Sequence, residues 1–395
     1  MTIKYSIIIP TRNRAEYLPY AIKSVINSPR LDIELIVSNN HSTDETREIL
    51  TKIIDHRVKI IAPEISLSMA GHYEFAISHA KGEWITILGD DDAVMPHIFD
   101  SLDKYICQYP NIDIISSARA YYFWKGCEDL YGKSVVIYRS SPNIKIRSTK
   151  KDLIGTLKGL RSCFDMPQIY TTGIVKRSLY NEIKKKSGGS FYHSIIPDMY
   201  SVVALCLSRE EYLRVEEPLF WVGTSNKSLG RSDRIYKDAE KLKISASYKN
   251  LNIPKKISNY ASYLLHSHQF GPYYIFECFL QCPLKKTIFN LKKIRTDVLA
   301  AVLNMLFKKN IEEKKILKKE IYLECNHNNI SIKNLYISAY RNKIINLFLF
   351  FYKLPSFILS EFGLGNYCVL KSKHRNSFTS ILNASEKLKI LKDKK

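Results

Sequence analysis

The chain has 395 residues, 45% of them hydrophobic and 25% charged, an ordinary globular composition on a length that favours two domains over a single core. Sixty Lys and Arg against 38 Asp and Glu leave a net charge of +22, a surplus that attracts phosphate-bearing partners: nucleotides, anionic lipids or nucleic acid. The eight cysteines are scattered without a C-x-x-C pair, which excludes the common zinc and redox motifs and leaves buried free thiols.

Met1–Tyr5 leads directly into Ser6-Ile7-Ile8-Ile9, too short an apolar stretch for a signal core, so a reducing cytoplasm is expected. Short apolar runs at 6–9, 35–37, 58–61 and 84–88 then alternate with stretches of helical period, such as Tyr17, Ala21, Ile22 and Val25. That alternation predicts βαβα units on a parallel sheet. Ser42-Thr43-Asp44-Glu45 reads as the cap and acidic first turn of a helix. In open α/β sheets ligands gather at the carboxyl ends of the strands, so loops 10–14, 38–44 and 89–96 should converge on one crevice.

From 110 to 225 the pattern is mixed, with strands predicted at 112–117, 134–138 and 212–215 and helices at 176–184 and 198–207. Beyond Asn226 the chain becomes Lys-rich and helical in period, without an acidic cluster or an internal repeat. The expected division is therefore 1–225 and 226–395. The most apolar stretch, Ile344 to Gly365, is interrupted by Lys353 and Pro355, whereas a spanning helix needs about 20 nearly uninterrupted apolar residues. It reads as a buried helical hairpin, or else as an interfacial segment flanked by Lys371, Lys373 and Arg375 that rests on anionic lipid.

The segment that carries chemistry is Gly82-Glu83-Trp84-Ile85-Thr86-Ile87-Leu88-Gly89-Asp90-Asp91-Asp92, an apolar strand delivering three consecutive carboxylates to a sheet edge. Like charges a few ångströms apart repel, so such a run either spreads into solvent or surrounds a hard divalent cation. The strand before it and Pro96 after it favour the cation.

Three stretches in order, Ser6 to Arg14, Ile36 to Asp44 and Gly82 to Asp92, together resemble the family 2 inverting glycosyltransferases of GT-A fold, over roughly the first 225 residues. The resemblance implies an α/β fold with a mixed central sheet, followed by an appended, mainly helical region. It also implies a metal-dependent enzyme that moves a sugar from a nucleotide-sugar donor, most simply a UDP-sugar, to a hydroxyl of a glycan or lipid-linked acceptor in surface polysaccharide or lipopolysaccharide synthesis. Pro10, Thr11, Arg12 and Arg14 fall in the first nucleotide-contacting loop. Asn39 stands where the family often has an acidic residue against the base, and can still pair with a uracil edge through its donor and acceptor. Gly89 replaces the first Asp of many acidic motifs, so the implied pair is Asp90 and Asp91: Asp91 on the metal (Mn²⁺ or Mg²⁺), Asp90 on ribose or metal, Asp92 in either role.

Inverting transfer needs a base for the acceptor hydroxyl. The family places an acidic residue after a Gly-containing strand and a helix, and here Thr171-Thr172-Gly173-Ile174-Val175 leads to Ile196-Pro197-Asp198. Asp198 is thus the implied base, although Pro-Asp is also an ordinary helix start. Gly223 to Ser228 is a polar loop that closes the pocket or is merely a loop, and His72 and Tyr73 line the nucleotide site or simply pack. His41, His193, His266 and His268 show no metal-ligand spacing beyond the near pair 266 and 268, a chance coincidence. The competing readings are a nucleotidyltransferase, which usually opens with a Gly-rich phosphate loop absent from Pro10–Arg14, an inactive scaffold, and a nucleic-acid-binding protein, for which the dispersed basic residues show no recognition motif. Nucleic acid is not an expected partner; an anionic membrane surface on the cytoplasmic side is.

Overall fold

The computed structural model describes residues 2–127, 134–228, 270–284, 289–362, 364, 368–372 and 378–393. His266, His268, Lys373 and Arg375 lie outside the described residues.

Strand β1 (Tyr5–Thr11) is buried on both faces along most of its length, as its unbroken apolar run requires of a central strand in a parallel sheet. Tyr5, Ile7 and Ile9 enter one hydrophobic core while Ile8 enters another on the opposite side, the two-residue alternation of a pleated strand. Helix α1 (Leu18–Ile26), with a proline in its first turn, returns over the first of these faces on Leu18, Ala21, Ile22 and Val25. Strands β2 (Ile33–Asn39), β3 (Val58–Ile61) and β4 (Trp84–Ile87) complete the parallel half, β1 lying between β2 and β4. Helices α2 (Thr46–Thr51) and α3 (Met69–Ser78) supply two crossovers.

After β5 (Ala93–Val94) and helix α4 (Ile98–Gln108) the sheet turns mixed. Strand β6 (Ile114–Phe123) begins a second set with β7 (Val136–Ser140), β8 (Ile144–Ser148), β9 (Gly173–Lys176) and β10 (Glu211–Thr224). β9 pairs antiparallel with both β4 and β6, so it joins the two halves. β10 runs parallel to β6 on one edge and carries β5 and β8 antiparallel on the other. Helices α5 (Thr149–Leu157), α6 (Arg177–Lys186) and α7 (Pro197–Ser208) cover this half. The mixed α/β sheet of the GT-A expectation is therefore present.

The packing does not divide at residue 225. Helices α8 (Gly271–Gln281) and α9 (Leu291–Met305) contribute Phe276, Phe279, Val298 and Leu299 to the same core as α3, α5 and α7. Helix α10 (Ile311–His327) follows under a capping box from Asn310 to Glu313. A late strand, β11 (Cys368–Ser372), pairs antiparallel with β7 at the sheet edge, so the region beyond 226 is helical but not wholly so. The final helix α12 (Ile381–Asp393) packs Ile381, Ala384 and Leu388 beside Trp221 and Tyr138, and Ser385 Oγ accepts the Trp221 indole N–H at 2.8 Å. Apolar residues at 270–305 thus share a core with residues of 1–225.

The stretch from Ile344 is not a buried hairpin. It belongs to one helix, α11 (Ile332–Glu361), which continues through Pro355; proline removes one backbone hydrogen bond without having to end the helix. Among the described residues no helix is long and apolar enough to cross a membrane.

Candidate active site

The loops following β1, β2 and β4 meet at the carboxyl ends of the parallel strands and are tied to one another by side chains. Asn13, in the left-handed backbone region at φ +57°, accepts from the Thr43 amide at 2.7 Å and donates its own amide to Ser42 Oγ at 3.0 Å. Asp44 accepts from the amides of Ala15 and Thr46, both at 3.1 Å, which joins the start of α2 to the first loop. These bonds to amides, with Thr46, outweigh the cost of burial and hold the Asp44 carboxyl below its usual range. Asn39 Oδ1 accepts from the Ser42 amide at 3.1 Å. Asn40 makes a two-way pair with the Leu67 backbone, at 2.7 and 2.8 Å, and so fixes the segment before α3.

The acidic run fans out in three directions. Asp90 faces the first loop, accepting from Thr11 Oγ1 at 2.9 Å and from Arg14 Nε at 3.2 Å. Asp91 faces the end of β10: its Oδ2 accepts from the hydroxyls of Ser225 at 2.7 Å and Ser228 at 2.6 Å, while no donor among the described residues reaches Oδ1. Asp92 turns inward, accepting from the Gly223 amide at 2.6 Å, from the Gly89 amide at 3.2 Å and from Thr171 Oγ1. Burial first, and then the Asp91 charge, raises the carboxyl of Asp92; burial does the same for Asp90 against the pull of Arg14. The structure thus separates Asp92, saturated by protein donors, from Asp91, whose second oxygen is unclaimed.

The Gly223–Ser228 loop closes over this corner. Besides its serines on Asp91, the Lys227 carbonyl accepts from Arg14 at 2.7 Å, and Lys227 Nζ reaches the Asn13 carbonyl at 3.3 Å. Trp124 donates its indole N–H to the Asp91 carbonyl at 2.9 Å and packs edge-on to Tyr122. Arg12 is exposed and bonds to no described residue, so its guanidinium is available to a ligand, and Pro10 beside it is half-buried.

Asp198 occupies the first turn of α7, directly after Pro197. Burial raises its carboxyl above the ordinary range, opposed by the Met199 amide and by Arg119. Arg119 itself lies over the Phe164 ring at 4.8 Å and donates to the Phe164 carbonyl at 3.0 Å. Tyr170 is near both the acidic corner and Asp198: its phenol is raised by burial, then by Asp92, Tyr73, Asp91 and Asp198. Tyr170 stacks with Tyr73 at 6.3 Å, and Tyr73 meets Tyr192 edge-on at 6.1 Å. Tyr73 thus belongs to an aromatic cluster packed against the core. His72 points the other way, buried against Ser38 Oγ at 2.8 Å, and burial lowers its pKa to about 4. His41 and His193 bond to the carbonyls of Pro63 and Ser190.

Sequence reasoning missed Tyr170, Trp124 and Arg119, because aromatic and basic residues on strands and loops carry no spacing that marks them. Among the described residues no group of three or more His, Cys, Asp and Glu side chains is arranged to hold a metal. What Asp91 offers instead is hard oxygen donation from one carboxylate at the mouth of a crevice. That suits Mn²⁺ or Mg²⁺ when the remaining ligands come from a diphosphate and water.

Parallel strands delivering an acidic loop next to a basic first loop lie in residues 6–163, the part of the chain that matches the Glycosyl transferase family 2 model. The chain is 27% identical over 197 residues to Glycosyltransferase GlyG of Streptococcus pneumoniae, covering 47% of this chain and 61% of that one. It is 33% identical over 102 residues to the GalNAc(5)-diNAcBac-PP-undecaprenol beta-1,3-glucosyltransferase of Campylobacter jejuni, covering 25% of this chain and 33% of that one. The chain thus spans less than two thirds of either relative. In overall shape it is similar to S. aureus TarS 1-349 in complex with UDP-GlcNAc, at TM-score 0.47 and 14% identity over 86% of this chain and 92% of that one.

Proposed function

We propose that the chain is an inverting glycosyltransferase that moves a sugar from a nucleotide-diphosphate donor, a UDP-sugar, to an acceptor hydroxyl. The observation that carries this reading is that Asp91 and Asp198, from segments far apart in sequence, both lie near enough to the buried Tyr170 for their charges to raise its phenol. Pro10, Thr11, Arg12 and Asn39 hold the nucleotide, with Arg12 the free donor at the rim. Asp90 keeps the first loop in place through Thr11 and Arg14, and it approaches the ribose from there. Asp91 holds the divalent cation, and Asp92 holds Asp91 in place rather than serving as a ligand itself. When bound, Mn²⁺ or Mg²⁺ supplies Lewis-acid stabilisation of the charge that grows on the departing diphosphate.

Asp198 takes the proton from the acceptor hydroxyl as that oxygen attacks the anomeric carbon from the face opposite the diphosphate. Its raised pKa brings it nearer to a useful base at neutral pH than an exposed carboxylate would be. Tyr170 and Tyr73 exclude water beside the carboxylates and offer apolar faces to sugar rings. The acceptor is a glycan or lipid-linked glycan of surface polysaccharide or lipopolysaccharide synthesis, reached from the cytoplasmic side at an anionic membrane surface. The undecaprenol-diphosphate-linked glycan in the C. jejuni relative's name supports this acceptor class. Release of UDP from a panel of UDP-sugars with manganese tests the reading: it requires one donor to be consumed by the wild type and not by Asp91→Ala.

A further inference from the structure

Helix α11 packs Leu335 and Ala339 into the core in its first turns, but from Asn342 onward it is turned inside out. At roughly 100° per residue Asn342, Asn346 and Lys353 fall on one narrow stripe, while Leu347, Phe348, Phe350, Phe351 and Tyr352 spread over about 200° of the remaining circumference. The start of this stripe meets the protein: Asn342 Nδ2 donates to the Lys158 carbonyl at 3.3 Å and Asn346 Nδ2 to the Gly159 carbonyl at 3.4 Å. The apolar arc faces outward, with Phe348 71% and Tyr352 84% exposed. A helix in water buries its apolar side against its own core, so the outward arc is built for an apolar medium.

The charge pattern says which medium. From Ile332 the helix carries Lys333, Arg341, Lys343 and Lys353 and no carboxylate before Glu361, and Lys343 and Lys353, both exposed, bracket the aromatic cluster. On a chain of net charge +22, this complements the anionic headgroups of a bilayer, and basic residues flanking an apolar arc fit the headgroup boundary. The helix is not long and apolar enough to cross, which leaves it lying in the plane of the interface. A second copy pairing about a two-fold axis covers one stripe of a helix and leaves much of so wide an arc in water.

We propose that residues 344–359 of α11 insert along the surface of an anionic bilayer and dock the enzyme there. This deepens the reading of a lipid-linked acceptor by naming the element that meets the membrane, and its test uses neither donor nor turnover, so either idea can fail alone. The full chain is floated with vesicles of phosphatidylglycerol and phosphatidylcholine, and with phosphatidylcholine alone, beside Phe348→Ser/Phe351→Ser. In parallel, Tyr352→Trp is titrated with vesicles containing brominated lipid; the three native tryptophans are buried, so added quenching reads position 352. The proposal expects flotation with the anionic vesicles only, binding about tenfold weaker or worse for the double variant, and quenching of the Tyr352→Trp reporter. No flotation, undiminished flotation of a folded double variant, equal binding to neutral vesicles, or an unquenched reporter in a protein that sediments as a dimer would each overturn it. Should the double variant fail to fold, the reporter decides by itself.

Discussion

The backbone amide of Gly223 donates to Asp92 Oδ1 at 2.6 Å, joining positions 131 apart in sequence at the base of the acidic corner. The approach leaves no room for a side chain, since a Cβ on Gly223 would lie 1.7 Å from the Asp91 carbonyl oxygen. Both atoms belong to buried backbone, so Gly223→Ala must displace the end of β10. It is expected to cost about 2–3 kcal/mol, a fall in melting temperature on the order of 5 °C, together with loss of UDP binding. Thermal melts with and without UDP check both effects.

Neighbouring aspartates should behave in opposite ways. Asp92→Ala strands the buried donors of Gly223 and Thr171, while the Gly89 amide keeps Thr171 Oγ1 at 3.1 Å, and unmet buried donors cost about 1–3 kcal/mol each. Its melting temperature should drop whether or not manganese is present. Asp91→Asn keeps an oxygen for the hydroxyls of Ser225 and Ser228, so the fold survives, whereas donor turnover should fall at least about 100-fold. Equal stability losses in the two variants would contradict the division of labour.

For Asp198 the discriminating change is Asn. Asparagine is tolerated at a helix start, so the melt should stay within a degree or so while turnover drops by about 10²–10⁴ with the donor KM unchanged. Because burial raises the folded carboxyl, the acid limb of the wild-type rate profile should lie above the ordinary carboxylate value of 3.8. A limb at or below that value would show an exposed, unperturbed group.

His72 gives a stability signature. Its pKa falls from 6.5 to about 4 on burial, so its contribution is fully present above 6.5 and is lost as pH falls through about 4. Denaturant midpoints across that window should flatten in His72→Gln relative to the wild type, and an unchanged slope would mean that the imidazole is protonated freely in the fold.

The parallel half of the sheet was legible because its strands are short unbroken apolar runs: 6–9, 35–37, 58–61 and 84–88 lie within, or one residue beyond, β1 to β4. Predicted helices at 176–184 and 198–207 likewise fall within a residue of α6 and α7. What stayed hidden depends on long-range contact. β11 is a strand because β7 offers it an edge, and β8 because β10 does; each is only five residues long, too short a run to announce a strand by itself. The Ile344 stretch misled because apolarity does not reveal which side of a helix faces the protein, and here two asparagines take that side. At the site, the carboxylates were visible as a run of three, but their separate directions were not. Serines at 225 and 228 and a glycine amide at 223 set those directions.

The most direct measurement is the melting shift produced by UDP with manganese in the wild type and in Asp91→Ala. A ligand at about 100 times its Kd stabilises the folded state by about 2.7 kcal/mol, so the wild-type melt should rise by several degrees only when nucleotide and metal are both present, and the variant, folded equally well without ligand, should not shift. An equal rise in the variant, or a wild-type rise indifferent to manganese, would contradict a cation held by Asp91 against the diphosphate.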